Sequence, residues 1–176
     1  YMSQTRCDLL FADKVILIEG TTERLLLPRL TEKNDSGLPA NTRLGSQYVA
    51  VLEVGGAYAH IFFKLLDFLE LHALIVTDLD TVNAANDGNA CKVSEGTGTS
   101  NACIKAWFGK GGTVPKDLLA KKLEEKVKGI RRIAYQVPEK ARQPCGRSCE
   151  DALMLANAAK FAIDGADLEQ SAWDAA

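Results

Sequence analysis

Four short apolar runs punctuate this chain, and each is broken off by charge or glycine. "VILIEG" sets Val15, Ile16, Leu17 and Ile18 in a row before Glu19 and Gly20. "QYVAVLEVGG" ends at Gly55-Gly56, "ALIVTDLD" ends at Asp80, and "RRIAYQV" covers residues 131–137. Continuous apolar runs of this length predict strands covered on both faces, as in a parallel sheet. Between them the period becomes helical. "TTERLLLPRLTEK" predicts a helix capped by Thr21 or Thr22 with Glu23 in its first turn, and Pro28 predicts a kink or an early stop. "AYAHIFFKLLDFLELH" puts Ile61, Phe62, Leu65, Leu66 and Leu69 on one apolar face. Three more helices are expected: "NACIKAWF" capped by Asn101, "PKDLLAKKLEEKV" with Pro115 near its start, and "SCEDALMLANAAKFA" capped by Ser148. Residues 81–100 show no period and read as a long polar loop.

Alternating strands and helices predict an α/β fold with a central, mostly parallel four-stranded sheet flanked by helices. No repeat or linker interrupts the pattern, so residues 1–176 read as a single domain. Ligands of such sheets gather at the carboxyl ends of the strands. That rule assigns Glu19-Gly20, Glu53-Gly55-Gly56 and Asp78-Leu79-Asp80 to one edge.

The chemistry at that edge is acidic. Asp78 and Asp80 would face the same side if the strand ran through them, unless a turn begins at Leu79. Clustered carboxylates repel and force protonation unless a cation neutralises them. Oxygen ligands with no His or Cys beside them suit Mg²⁺ or Mn²⁺ rather than zinc. "CGRSCEDALML" adds Glu150 and Asp151 at a helix start, with Arg147 and Ser148 beside them. One reading is simple dipole capping. In the other, Glu150 holds a second metal and Arg147 grips a phosphate bidentately. Two ions and an arginine suit phosphodiester cleavage, one ion activating water and the other stabilising the leaving oxygen.

Composition narrows the classes. Hydrophobic residues make up 47% and charged residues 25%, ordinary for a soluble globular protein. No apolar stretch reaches the roughly 18 residues of a membrane span, and no signal peptide is evident, so a cytoplasmic location is expected. Five cysteines without a CxxC pair and only two histidines argue against a zinc framework and a disulfide scaffold. The net charge of -2 does not itself suggest nucleic acid. Its distribution is more informative: residues 105–147 carry twelve Lys/Arg against four Asp/Glu, leaving nine and nineteen elsewhere. Phosphates held in one place and cations in another would explain this, although a solvated helix surface also would. The Tyr1-Met2 start and the "EQSAWDAA" end suggest a fragment of a longer chain.

Taken in order, "VILIEGTTE" and "LIVTDLD" resemble the Toprim domain, whose signature is a glutamate after strand one and a DxD after strand three. "VLEVGGAYAHIFFKLLDFL" and "CGRSCEDALM" narrow the resemblance to the OLD (overcoming lysogenisation defect) family nucleases, over residues 13–160. The resemblance implies a Rossmann-like Toprim fold and two-metal cleavage of DNA, in a bacterial ATPase-nuclease whose N-terminal ATPase domain is a partner of this C-terminal one. It implies Glu19 as the Toprim glutamate, Glu23 as the second acid, Asp78 and Asp80 as the DxD, and Glu150 as the acid of GRSxED. Low aromatic content (7%) favours duplex DNA over a stacked single strand. A family lysine nearer the C-terminus has no clear counterpart, and "GKGGT" lacks the order of a phosphate-binding P-loop.

Other readings stay open. "TDLDTV" fits the nucleophile motif of haloacid-dehalogenase-like phosphatases, but that motif follows the first strand and leaves EGTTE unexplained. Another Toprim enzyme, or a non-catalytic Toprim module that binds DNA, is closer. No nucleophilic tyrosine is evident among Tyr48, Tyr58 and Tyr135 for a topoisomerase.

Overall fold

The computed structural model describes residues 7–55, 57–163 and 167–175. In chain order its elements are β1 (Lys14–Ile18), α1 (Thr21–Asp35), β2 (Val49–Glu53), α2 (Phe63–Phe68), β3 (His72–Val76), β4 (Thr81–Asn83), β5 (Asn89–Ala90), β6 (Gly98–Thr99), α3 (Ala102–Phe108), α4 (Pro115–Leu119), β7 (Val127–Lys128), β8 (Arg131–Ala134), α5 (Cys149–Ala156) and α6 (Leu168–Ala175). The chain forms two compact units. One comprises residues up to Thr77 together with Leu123–Ala134, and the other comprises Asp78–Lys122 together with Tyr135 onward.

The first unit is built on a five-stranded sheet in the order β2-β1-β3-β8-β7. The four apolar runs form its four parallel strands, as expected, with Ile16 opposite Val51 and Leu74, and Ile75 opposite Ile133. Val15, Leu17, Ile18, Ile75 and Ile133 are almost entirely buried. β1 is buried at four successive positions and so shows no alternation, whereas β2 and β3 alternate between buried and more exposed positions.

β7 is a fifth strand, antiparallel to β8. It lies where the "PKDLLAKKLEEKV" helix was expected to continue. Instead α4 stops at Leu119, a 3₁₀ turn covers Leu123–Lys126, and Gly129 (φ +59°) reverses the chain into β8. Leu118 is fully buried, and its carbonyl accepts a hydrogen bond from the Tyr135 hydroxyl at 2.7 Å, a tertiary contact at the point where α4 ends.

Of the kink or early stop expected at Pro28, the stop does not occur, because α1 runs on to Asp35. Its cap is Gly20 rather than Thr21 or Thr22: the Glu23 carboxylate accepts the Gly20 N–H at 3.0 Å. At its far end Asp35 accepts the N–H groups of Leu44 (2.9 Å) and Gly45 (2.7 Å). Those bonds hold its carboxyl below the usual range, the Gly45 bond most, with burial opposing. α2 is shorter than expected, follows a 3₁₀ turn at Ala59–Phe62, and buries Leu66 while Ile61 stays exposed. Gly56 of the second strand-end motif lies outside the described residues.

The second unit departs from expectation at residues 81–100. The supposed loop holds a three-stranded antiparallel sheet, β5-β4-β6, with Thr81 opposite Thr99. Strands of two or three residues are too short to show a period. Thr81 and Thr99 are buried, and their hydroxyls bond to carbonyls of Cys91 and Leu79, each at 2.5 Å.

α3 is capped as expected, the Asn101 side chain accepting the Ile104 N–H at 3.0 Å. Ser148 likewise caps α5, accepting the Asp151 N–H at 3.2 Å, although α5 ends earlier than expected, at Ala156. A Cβ on Gly146 would stand 2.4 Å from the Ala152 nitrogen, so the GRS turn packs against α5 only because that residue is glycine. Met154, Ile163 and Ala172 form the core between α5 and α6. Among the described residues, no helix is long and apolar enough to cross a membrane.

Candidate metal centre

In the first unit, the parallel sheet delivers its acids at strand exits. Glu19 leaves β1, and its carboxylate accepts the Thr77 hydroxyl just beyond β3. Its carbonyl accepts the Gly55 N–H at 3.1 Å, tying the exits of β1 and β2. Glu53, at the end of β2, pairs with Arg24 at 3.0 Å. Glu23 closes the α1 capping box. A helix-capping role therefore already accounts for Glu23, whereas Glu19 projects from a buried strand with a hydroxyl partner.

In the second unit, β3 has already ended when the DxD begins. Leu79 is fully buried and anchors the motif. Its N–H donates to the Gln136 side chain at 2.9 Å, and its carbonyl accepts the Thr99 hydroxyl. Asp80 lies in the left-handed region (φ +46°), so the same-side rule for a pleated strand does not hold here. Its backbone is clamped, its N–H donating to the Arg147 carbonyl (3.2 Å) and its carbonyl accepting the Ser100 N–H (2.9 Å).

The two aspartates have different partners. The Asp78 carboxylate accepts from the Gln136 amide. The Asp80 carboxylate accepts from the Arg147 Nη2 at 3.2 Å and from the Asn101 Nδ2 at 3.3 Å. The Arg147 guanidinium stands over the Trp173 ring, 5.8 Å from its centroid. Arg147 thus approaches the DxD, as the acidic pattern suggested, but as a partner of Asp80. At the start of α5, Asp151 is the acid that turns inward, accepting the Arg147 N–H at 3.1 Å, whereas Glu150 is exposed.

Three contributors escaped the sequence reading: Gln136, Trp173 and the second role of Asn101. Gln136 had a signal, being a lone amide within "AYQV". Asn101 had been read as a cap only, but its amide also donates to the Asp78 carbonyl at 2.9 Å. Trp173 had no signal in sequence. Cys91, also in this unit, is buried, and burial pushes its thiol up, which suits an unreactive cysteine.

Among the described residues, no three Asp, Glu, His or Cys side chains gather closely enough to hold a metal ion. The donors that Asp78 and Asp80 offer are oxygens. Mg²⁺ binds through one or two carboxylates and completes its shell with water and phosphate. The DxD fits such an ion in kind.

Glu19, Glu23, Asp78 and Asp80 lie within a stretch that resembles a known family. Residues 10–80 match the family model described as the Overcoming lysogenization defect protein-like TOPRIM domain. Over 103 residues the chain is 32% identical to Endonuclease GajA of Bacillus cereus (strain HuB5-5), covering 57% of this chain and 14% of that protein. The chain thus spans a small part of the length of this relative. No solved structure matches.

Proposed function

We propose, taking as premise the OLD-like Toprim domain at residues 10–80, that this chain is a metal-dependent nuclease domain that cleaves or nicks DNA. The observation that carries the proposal is the DxD itself. A fully buried Leu79 fixes Asp78 and Asp80 to either side of it, and an arginine stands at Asp80. The relative named as an endonuclease supports the reaction class.

Asp78 and Asp80 are the foremost ligands for Mg²⁺ or Mn²⁺, with Glu19, Glu23 and Glu150 as further candidates. Bound ions, two in this reading, would activate water and stabilise the leaving oxygen. The protein supplies the rest. Gln136 and Asn101 orient the two carboxylates by donating to them. Arg147 offers a planar fork suited to a phosphate. Lysines and arginines of residues 105–147 contact the DNA backbone, which makes binding sequence-tolerant and weaker at high salt. An N-terminal ATPase domain is the proposed partner.

Plasmid nicking in Mg²⁺, Mn²⁺ or EDTA tests this. The wild type should nick with either ion and not in EDTA. Asp78→Ala and Glu19→Ala should each lose at least about a hundredfold, the scale expected when a group that stabilises charge in the transition state is removed. Nicking that survives either substitution, or persists in EDTA, would sink the metal assignment.

A further inference from the structure

Two contacts position Arg147. Its Nη2 holds the Asp80 carboxylate, and its guanidinium lies over Trp173. Its buried Nε has no hydrogen-bond partner among the described residues. An unmet buried donor costs about 1–3 kcal/mol, which a further acceptor at the Nε would recover. Asp80 is paired with a full positive charge, whereas Gln136 gives Asp78 a neutral amide. Both partners of the ion pair are mostly covered, their side chains 22% and 26% exposed, so water screens the pair less than it would at the surface.

We propose that Arg147 is a built-in counter-cation which a divalent ion must displace from Asp80, and that Trp173 is the face against which the guanidinium moves. The inference rests on the metal reading given above. With no ion bound, one guanidinium neutralises the aspartate that backbone clamps hold in place. When an ion arrives at Asp80, the two positive charges repel and the weaker ligand leaves. Arg147 then has a released Nη2 and an already unpaired Nε on the same planar fork, which is the geometry for a bidentate phosphate contact. Ion binding and phosphate capture are thereby coupled through a single side chain. The aromatic face keeps the released guanidinium nearby through a cation–π contact.

Two measurements on the purified protein test the exchange. Mn²⁺ affinity, read from free Mn²⁺ by electron paramagnetic resonance, compares wild type with Arg147→Met, which keeps the apolar stem but removes the charge. Removing the competitor should tighten binding roughly three- to tenfold, the scale of one partly covered ion pair. Tryptophan emission during Mg²⁺ titration needs no arginine variant. Trp107 is 2% exposed, so the response should come from Trp173 and disappear in Trp173→Phe. An unchanged Mn²⁺ affinity in Arg147→Met, or a Trp173 signal that stays flat at Mg²⁺ saturation, overturns the exchange while leaving the metal reading intact. If neither wild type nor Arg147→Met binds Mn²⁺, the metal reading falls and the exchange falls with it.

Discussion

The two units hold their acids by opposite means. In the first, Glu19 is carried on a strand whose neighbours are almost wholly apolar: Val15, Leu17, Ile18, Ile75 and Ile133 leave little or no surface to water. Its position follows from sheet packing, which resists distortion because interiors are close-packed. In the second, the DxD sits in irregular backbone and is fixed by polar side chains. Thr81, Thr99, Asn101 and Asp151 are buried there, and each is hydrogen-bonded. Apolar packing is strong and tolerant of detail. A buried polar network is specific, and it fails wherever one partner is removed.

That contrast can be tested one residue at a time. The largest effect is expected from Leu17→Ala, which empties a fully buried position in β1, an interior strand of the sheet. Urea unfolding should show a loss of about 3–4 kcal/mol. A loss below about 1 kcal/mol would mean that the sheet is not the rigid carrier described.

Asn101→Ala should cost about 2 kcal/mol, because it removes the α3 cap and leaves the Asp78 carbonyl without its donor. Asn101→Asp sharpens the comparison. It retains the capping oxygen but sets a carboxylate against Asp80, so α3 should persist while nicking falls. If both variants behave alike in unfolding and in nicking, Asn101 is only a cap.

Glu23 separates capping from chemistry in the first unit. Glu23→Ala should cost about 1 kcal/mol, and Glu23→Gln should recover most of it, since an amide oxygen still accepts the Gly20 N–H. Nicking that survives Glu23→Gln would remove Glu23 from the metal ligands.

The smallest effect concerns Asp35. Its folded pKa is depressed, so its contribution to stability is present above the ordinary carboxylate pKa of about 3.9 and is lost as pH falls through the lower folded value. Asp35→Asn should therefore be less stable than wild type near neutrality, and the gap should close in acid. A gap that is constant down to pH 2 would rule out the charge as its source.

Much of this was readable in advance, for local reasons. Ser148 and Asn101 were legible as caps because a cap is satisfied within three residues. The DxD was legible because carboxylates directly after a buried run conflict with their neighbours. The 3₁₀ turn and β7 were not legible. "LAKKLEEKV" has good helical residues, but pairing of β7 with β8, Val127 opposite Arg132, overrode their propensity.

By itself, then, the sequence determined the four parallel strands, the acids at their exits and the starts of α3, α4 and α5. Each depends on burial period or on contacts between near neighbours, and both are written into consecutive residues. Only the tertiary structure decided what each acid faces. It set Asp80 in a left-handed turn, gave it Arg147 from 67 positions away, and put Trp173 over that arginine. It also turned Asp151 inward, while Glu150 is exposed. Such partnerships depend on which loops meet in space, and no local period encodes that.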